Sequence, residues 1–285
     1  MASKKKVLIV YRPHKAEPWK AAKELAAWLK DKKAEVFTHN DQKLIPGTKS
    51  VNKVNLSKMH FVVVLGGDGT YLRAVRLLEK TQLPIIGVNL GSLGFLTEVT
   101  VEEMYQVVQK ALQGKIDLKP RTMLDIAVKK NKRTIHLTAL NDIVIERGPF
   151  SRLISLAVYS DDSLITELKA DGLIISTPTG STAYNLAAGG PILHPHVKAI
   201  VITPICPHSL NDRPITVPDD HTLSLKITAI ESKALFSVDG QKIEGIDMND
   251  RIVINKAKTT HLKLNIANNN YFDVLRKKLN YGQRD

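Results

Sequence analysis

The first third of the chain alternates between short apolar runs and longer stretches in which apolar residues recur every three to four positions. An uninterrupted apolar run predicts a buried strand, and the helical spacing predicts an amphipathic helix. The predicted strands are residues 7–11, 61–65 and 84–88, and the predicted helices are residues 17–32, 70–80 and 101–113. Strands and helices in turn favour a Rossmann-like α/β domain with a parallel sheet covered by helices.

The pattern changes near residue 120, where short strand-like segments follow one another. This spacing is typical of antiparallel sheets, so we expect an all-β, sandwich-like domain. The predicted strands are 124–130, 134–140, 143–147, 153–159, 163–168, 173–176, 199–203, 222–229, 234–238, 251–255 and 262–266. A helical tail at 272–279 is expected to pack back on the first domain. The expected divisions are an α/β domain at 1–119, a β domain at 120–267 and a C-terminal segment at 268–285.

The chain carries a net charge of +13, which favours a negatively charged partner. Basic proteins often bind nucleic acid, and such a protein is a competing function class. The lysines are spread along the chain, apart from a group at 129–133 on a predicted hairpin tip, and only 5% of the residues are aromatic. No aromatic series is available to stack bases, and a phosphorylated small molecule explains the charge as well as a nucleic acid would. We therefore expect small phosphorylated ligands and no nucleic-acid partner.

Cysteine content and hydropathy bear on the compartment. Cys206 is the only cysteine, so no intrachain disulfide can form, and a reducing cytoplasmic setting is the simplest expectation. The longest apolar runs are much shorter than a membrane span, and no basic start is followed by a signal-peptide core. We therefore expect a cytoplasmic protein without a membrane partner.

A glycine-rich turn, Gly-Gly-Asp-Gly-Thr at residues 66–70, directly follows the second predicted strand. Glycines let the backbone approach a ligand closely, and the N-terminus of the next helix presents free N–H groups that suit phosphate. The predicted phosphate-binding residues are Gly66, Gly67, Gly69 and Thr70. Asp68 would repel a phosphate, so we expect it to act as a general base or a metal partner, with a simple helix cap as the alternative.

Three further segments place polar groups next to predicted strands. Asn-Leu-Gly-Ser-Leu-Gly-Phe-Leu at 89–96 leaves the third strand at the edge where parallel sheets bind ligands. Asp-Gly-Leu-Ile-Ile-Ser-Thr-Pro-Thr-Gly-Ser-Thr-Ala-Tyr at 171–184 ends a strand in hydroxyl residues, which suit a polyol or phosphate. Asn141 and Asp142 precede another strand. Taken singly, each segment could also be an ordinary loop or capping turn.

With these four segments in this order, the chain resembles the NAD kinases. Cys-Pro-His-Ser-Leu-Asn-Asp-Arg-Pro at 206–214 and Ser-Val-Asp-Gly-Gln at 237–241 are similar to later motifs of that family. The Gly-Gly-Asp-Gly motif is shared with diacylglycerol and sphingosine kinases, so a lipid kinase is the nearest alternative. A non-catalytic NAD sensor is a third, against which the presence of Asp68 argues. The chain departs from the family at Asn141-Asp142, where Asn-Glu is usual.

The resemblance implies transfer of the γ-phosphoryl group of ATP, or of polyphosphate, to the 2′-hydroxyl of the adenosine ribose of NAD, bound between the two domains. It implies that Asp68 takes the hydroxyl proton, that Mg²⁺ or another divalent cation accompanies the ATP phosphates, and that the protein is a homodimer or homotetramer. The metal ligands stay open. The residues implied to bind NAD are Gly69, Arg73, Asn141, Asp142, Arg152, Lys169, Asp171, Thr182, Ala183, Tyr184, Asn185, Leu186, Ala187 and Gln241.

Overall fold

The computed structural model describes residues 4–78, 81–149, 151–231, 233–265 and 270–280. The chain divides into two compact units. The first unit combines residues 1–120 with residues 261–285, and the second unit comprises residues 121–260. Within the described ranges, no helix is both long enough and apolar enough to cross a membrane.

The first unit contains the three strands and three helices that the sequence pattern predicts, together with the additional strands β2, β3 and β6. Its strands up to residue 121 are β1 (Lys6–Tyr11), β2 (Glu35–His39), β3 (Lys49–Val51), β4 (Phe61–Leu65), β5 (Ile85–Val88) and β6 (Asp117–Arg121). Its helices in the same stretch are α1 (Ala16–Asp31), α2 (Asp68–Leu78) and α3 (Val101–Leu112), with a 3₁₀ turn at Lys53–Lys58.

The second unit is almost entirely made of strands. They are β7 (Leu124–Lys130), β8 (Arg133–Ala139), β9 (Asp142–Glu146), β10 (Ile154–Ser160), β11 (Ser163–Ala170), β12 (Gly172–Ser176), β13 (Ala199–Ile205), β14 (Ile215–Pro218), β15 (Leu223–Ile230), β16 (Ala234–Val238), β17 (Gln241–Ile246) and β18 (Arg251–Lys256). A 3₁₀ turn (Thr179–Thr182) and the short helix α4 (Tyr184–Ala187) follow β12. The chain then returns to the first unit with β19 (His261–Asn265) and α5 (Tyr271–Leu279).

The first unit is built on one sheet of seven strands in the order β3-β2-β1-β4-β5-β19-β6. The central strands run parallel, with Val7 opposite Phe61 and Leu65 opposite Val88. β4 and β5 are buried along their whole length, as the unbroken apolar runs predict for a sheet covered on both faces. Because parallel strands end at the same edge, the turns that follow β1, β4 and β5 meet there.

The last strand of the chain corrects the predicted division. The strand predicted at 262–266 is assigned from the sequence to the β domain, whereas β19 pairs in parallel with β5 in the first sheet, with Lys263 opposite Ile85. Lys263 also forms a buried ion pair with Glu98, just before α3. The first unit therefore resumes at His261 and not at residue 268, since a short apolar alternation does not reveal which sheet a strand joins.

The second unit contains two six-stranded antiparallel sheets. Their orders are β11-β10-β15-β18-β7-β8 and β14-β13-β12-β9-β16-β17. Side chains from both sheets, such as Ile126 of the first and Ile145 of the second, belong to one apolar core. The sandwich-like prediction is therefore confirmed. The predicted hairpin tip at 129–133 joins β7 to β8, but Lys130 turns back to Glu244 and Asp250.

Candidate active site

The turn after β4 positions the Gly-Gly-Asp-Gly-Thr motif at the carboxyl edge of the parallel sheet. Gly66 adopts φ = 155°, and a Cβ there would lie 2.5 Å from the Thr70 hydroxyl oxygen, so only glycine fits. The Gly67 carbonyl accepts the N–H groups of Thr70 (2.9 Å) and Tyr71 (3.1 Å), which begins α2 at Asp68, two residues before the predicted start.

Asp68 joins this turn to the second glycine-rich turn. Its Oδ1 accepts the backbone N–H groups of Leu96 and Thr97 and the Thr97 hydroxyl, each at 3.0 Å. Its Oδ2 accepts the Phe95 N–H at 2.9 Å. All four bonds cross to residues 95–97, so the carboxylate does more than cap its own helix.

The second turn is shaped by Asn89 and Gly94. The Asn89 side-chain oxygen accepts the Gly91 N–H at 2.6 Å, and its amide nitrogen donates to the Ser92 carbonyl. A Cβ on Gly94 would lie 2.1 Å from the Oδ1 of Asp68, so only glycine lets this turn close on the carboxylate. The two glycine-rich motifs that the sequence singles out are thus parts of one structure.

A cavity of about 450 Å³ opens beside these two turns. Its walls include Gly66 and Gly67 of the first turn and Asn89 and Ser92 of the second, together with Arg12 and Lys15 after β1. Glycine backbone and two cationic side chains around one cavity suit a phosphate chain. Glu17, at the start of α1, is the acidic member of the wall.

The remaining predicted residues of the first unit, Gly69, Thr70 and Arg73, are not among the residues that line this cavity. Gly69 is exposed and Thr70 is buried behind the turn. Arg73 lies one turn further along α2, and its guanidinium donates to the Asp41 carbonyl at 3.0 Å. Arg73 is thereby held near the end of β2.

In the second unit, the hydroxyl-rich segment after β12 packs against Asn141. The Thr177 hydroxyl donates to the Leu140 carbonyl at 2.6 Å, and the Thr177 N–H donates to the Asn141 carbonyl at 2.8 Å. A Cβ on Gly180 would lie 2.2 Å from that same carbonyl, so the two segments are in direct backbone contact. The predicted elements at 141–142 and 171–185 are therefore neighbours.

Asp239 fixes the position of Asn141 and Asp142. Its carboxylate accepts three successive backbone N–H groups, from Leu140 (3.0 Å), Asn141 (2.7 Å) and Asp142 (3.3 Å). Asp239 is 6% exposed and adopts φ = 49° in the turn between β16 and β17. A carboxylate that accepts several N–H groups is well stabilised as an anion, so Asp239 acts as a clamp on this segment.

The environment of Asp142 disfavours its charge. Asp142 is 4% exposed. Its burial, with a smaller contribution from the charge of Asp239, raises the pKa of Asp142 to about 7. Next to it, the Asn141 Oδ1 and the Thr179 hydroxyl are buried without a hydrogen-bond partner among the described residues. A buried polar atom without a hydrogen-bond partner destabilises the fold. A polar ligand or water that bonds to Asn141 and Thr179 would therefore be favoured at this position.

Comparison with known proteins identifies the family. The sequence model of the ATP-NAD kinase N-terminal domain matches residues 7–116, and that of the C-terminal domain matches residues 140–265. An NAD kinase of Bdellovibrio bacteriovorus is 46% identical over 279 residues, which cover 97% of this chain and 92% of that protein. This chain belongs to the NAD kinase family.

Other NAD kinases agree with this assignment. An NAD kinase of Trichlorobacter lovleyi is 40% identical over 284 residues, covering 98% of this chain and all of that protein. The crystal structure of yeast NADH kinase complexed with NADH superposes with a TM-score of 0.91 at 29% identity, covering 99% of this chain and 89% of that one. An Archaeoglobus fulgidus NAD kinase solved with ATP shares the fold, with a TM-score of 0.76 at 24% identity and coverage of 95% and 99%.

The family membership confirms the predicted resemblance, the predicted fold class and the predicted class of phosphotransferase. Nothing in these comparisons supports the lipid-kinase alternative.

The segment 182–187, implied to bind NAD, is mixed in its exposure. Tyr184 is 42% exposed and donates from its hydroxyl to Glu146 at 3.2 Å. Asn185 has no exposed surface, since its amide donates to the Ser181 and Pro191 carbonyls and its oxygen accepts the Thr203 hydroxyl at 2.6 Å. Asn185 is thus built into the turn. Thr182, Ala183, Leu186 and Ala187 form the remaining surface of this segment.

The other predicted NAD-binding residues of the second unit are surface groups. Arg152, Lys169 and Gln241 are exposed. Asp171 forms an ion pair with Arg147, whose Nε lies 2.5 Å from the Asp171 Oδ1. Arg147 is absent from the predicted set, although its position between Asn141 and Arg152 on the chain is a usable signal. Arg12, Lys15 and Asp239 are likewise absent from that set and gain their importance from spatial neighbours.

Proposed function

We propose that this chain transfers the γ-phosphoryl group of ATP to the 2′-hydroxyl of the adenosine ribose of NAD, giving NADP and ADP. The bond between the γ-phosphorus and its bridging oxygen breaks, and a bond to the ribose oxygen forms. Membership of a family described as ATP-NAD kinases supports the two substrates. The observation that carries the proposal is the pair of glycine-rich turns joined by Asp68 around a cavity with two cationic residues.

Asp68 is proposed as the general base that takes the hydroxyl proton. Its Oδ1 already accepts three hydrogen bonds, whereas its Oδ2 accepts only the Phe95 N–H. A carboxylate offers about four acceptor positions in all, so Oδ2 keeps one for a substrate hydroxyl. The bonds from residues 95–97 also hold the carboxylate in a fixed orientation, which a base requires.

The acceptor side of the reaction is proposed to lie on the second unit. The unsatisfied Asn141 Oδ1 supports a contact from Asn141 to NAD, and the exposed Tyr184 supports a contact from the segment 182–187. Asp142, Arg152, Lys169, Asp171 and Gln241 remain predicted contacts. The shorter side chain of Asp142, compared with the usual Glu, leaves room for a bridging water.

A divalent cation is proposed only as a companion of the ATP phosphates. Across the described part of the chain, no group of three or more His, Cys, Asp or Glu side chains is arranged to hold a metal ion. The described side chains therefore do not form a metal-binding cluster, and the proposed proton transfer to Asp68 needs none. Mg²⁺ that is carried by phosphates keeps several waters and needs few protein ligands.

The test is a phosphorylation assay of wild type, Asp68→Asn and the exposed control Asp31→Asn, with NAD, NADH, diacylglycerol and sphingosine as acceptors. The asparagine oxygen can replace Oδ1 and retain most of the turn, but its amide nitrogen cannot accept a proton. We expect kcat for NAD to fall by roughly two to four orders of magnitude in Asp68→Asn, with NAD binding retained in calorimetry. A near-wild-type kcat would show that Asp68 is not the base, and activity on a lipid alone would refute the function.

The proposal also covers the assembly and the compartment of the protein. We propose a cytoplasmic homodimer or homotetramer that has no nucleic-acid or membrane partner. The single cysteine supports the compartment. The assembly rests on the resemblance of the sequence alone. Light scattering on the purified protein tests the assembly. A salt-dependent gel shift tests whether the protein binds nucleic acid.

A further inference from the structure

A second cavity lies beside the one at the glycine-rich turns of the first unit. Its volume is about 440 Å³, and Lys15 and Ala16, at the start of α1, line both cavities. The walls of the second cavity include the rings of Tyr11 and Trp19. A pocket for phosphates and a pocket with aromatic walls are thus adjacent.

The aromatic wall is held firmly. The rings of Tyr11 and Trp19 pack with their centroids 5.4 Å apart. The Tyr11 hydroxyl donates to the Lys43 carbonyl at 2.7 Å, and the Tyr11 N–H donates to the Gln42 side chain at 3.3 Å. Tyr11 is therefore fixed as a backing for Trp19, which is only partly buried and can present its indole to a ligand.

The surroundings of Trp19 are mostly basic, with Asp41 as the acidic member of the cavity wall. The Lys43 Nζ lies 5.0 Å from the centre of the indole, and the Lys23 Nζ lies 5.9 Å from it. His14 and Lys15 line the same cavity. Cations around an aromatic platform favour a ligand that combines a π-system with negative charge, which describes a nucleotide and not an inorganic phosphate.

We propose that this cavity takes the base and ribose of the phosphoryl donor, with the base against Trp19. The triphosphate would then extend past Lys15 to Arg12 and the backbone of Gly66 and Gly67. This inference rests on the proposed function and deepens it, because it makes the donor a nucleoside triphosphate in preference to inorganic polyphosphate. Stacking on an indole distinguishes bases weakly, so several nucleoside triphosphates would serve.

The two tryptophans of the chain allow a direct test by fluorescence. Both lie on α1, and the Trp28→Phe variant leaves Trp19 as the only tryptophan. NAD is present at saturation, so that the acceptor site is filled. We expect ATP to change the Trp19 fluorescence and inorganic tripolyphosphate to leave it unchanged. An equal response to both probes, or no response to either, would overturn the inference.

Steady-state kinetics give a second, independent measure. Loss of a base-stacking aromatic weakens binding by roughly 5- to 150-fold, so Trp19→Leu should raise KM for ATP within that range. KM for NAD and the inhibition constant of tripolyphosphate against ATP should stay unchanged. Trp28→Leu is the matched control, because Trp28 has a similar setting, packed edge-on against Tyr105 with Lys32 over its ring.

The outcomes separate this inference from the proposed function. If the variants phosphorylate NAD and Trp19→Leu changes ATP and tripolyphosphate constants alike, the base does not lie on Trp19 and the function stands. If no protein phosphorylates NAD but ATP still changes the Trp19 signal, the proposed function fails and the nucleotide site stands. Thermal unfolding of each variant checks folding, and the fluorescence test keeps Trp19 intact if Trp19→Leu does not fold.

Discussion

The buried Asp142 makes the stability of the second unit depend on pH in a direction opposite to most carboxylates. Its pKa rises from an ordinary value of 3.8 to about 7 in the folded protein, first because of burial and second because of Asp239. Between these two pH values, the folded state binds a proton that the unfolded state has released. Stability is therefore highest below pH 3.8, as far as this group is concerned, and falls as the pH rises through 7.

The size of the effect follows from the distance between the folded and unfolded pKa values. Each pH unit inside this window costs about 1.4 kcal/mol, so a group with a pKa of about 7 removes roughly 2–3 kcal/mol of stability between pH 5 and pH 8. Asp142→Asn keeps the shape of the side chain and cannot ionise. We therefore expect the free energy of unfolding of Asp142→Asn, relative to wild type, to improve by about that amount over the same range.

The measurement is urea unfolding followed by far-ultraviolet circular dichroism at pH 5, 6, 7 and 8. Circular dichroism is required because both tryptophans lie on α1 of the first unit and do not report on the second. Asp125→Asn, an exposed carboxyl on β7 of the same unit, is the matched control and should run parallel to wild type. If the curve of Asp142→Asn also runs parallel to wild type from pH 5 to pH 8, Asp142 is ionised throughout and the reasoning is refuted.

Two further substitutions test the contacts that organise the site. Gly94→Ala should lower kcat by roughly 100-fold, since its Cβ would displace the Asp68 carboxylate, whereas Gly245→Ala, with its nearest atom at 3.5 Å, should stay close to wild type in the same assay. Asp239→Asn should raise KM for NAD roughly tenfold with a smaller change in kcat, because an amide nitrogen would face one of the three N–H groups that the carboxylate accepts. Equal losses of kcat and kcat/KM in Asp239→Asn would contradict a positioning role.

Much of the fold could be predicted because its signals are local. Unbroken apolar runs identified β1, β4 and β5, and the helical spacing of Ala22, Leu25, Ala26 and Leu29 identified α1, since these residues form its buried face. The strands β2 and β3 were harder, because Glu35–His39 mixes polar and apolar residues and Lys49–Val51 has only three residues. β19 has an ordinary strand pattern, but its partner β5 lies far away in the sequence, so the pattern could not place it in the parallel sheet.

The candidate site divides in the same way. Clusters of glycines and hydroxyl residues along the chain indicate the segments 66–70, 89–96 and 171–184. The structure shows why glycine is needed at Gly66 and Gly94. Residues that act through distant partners are absent from the predicted site residues, although Asp239 lies within the motif at 237–241. Arg12 matters only because β1 ends beside β4, where its N–H donates to the Leu65 carbonyl at 2.9 Å, and Asp239 matters only because β16 pairs with β9 and brings it to residues 140–142.

The position of Asp142 shows how one departure from the family pattern is accommodated. Asp142 is buried and lies close to the charge of Asp239, and both effects oppose ionisation of its carboxyl group. Three backbone N–H groups donate to the Asp239 side chain, and these hydrogen bonds stabilise its carboxylate form. Below pH 7 the carboxyl group of Asp142 is therefore mostly protonated and can donate a hydrogen bond as well as accept one. In the proposed contact with NAD, such a side chain would offer each ribose hydroxyl both a donor and an acceptor, as each hydroxyl itself does.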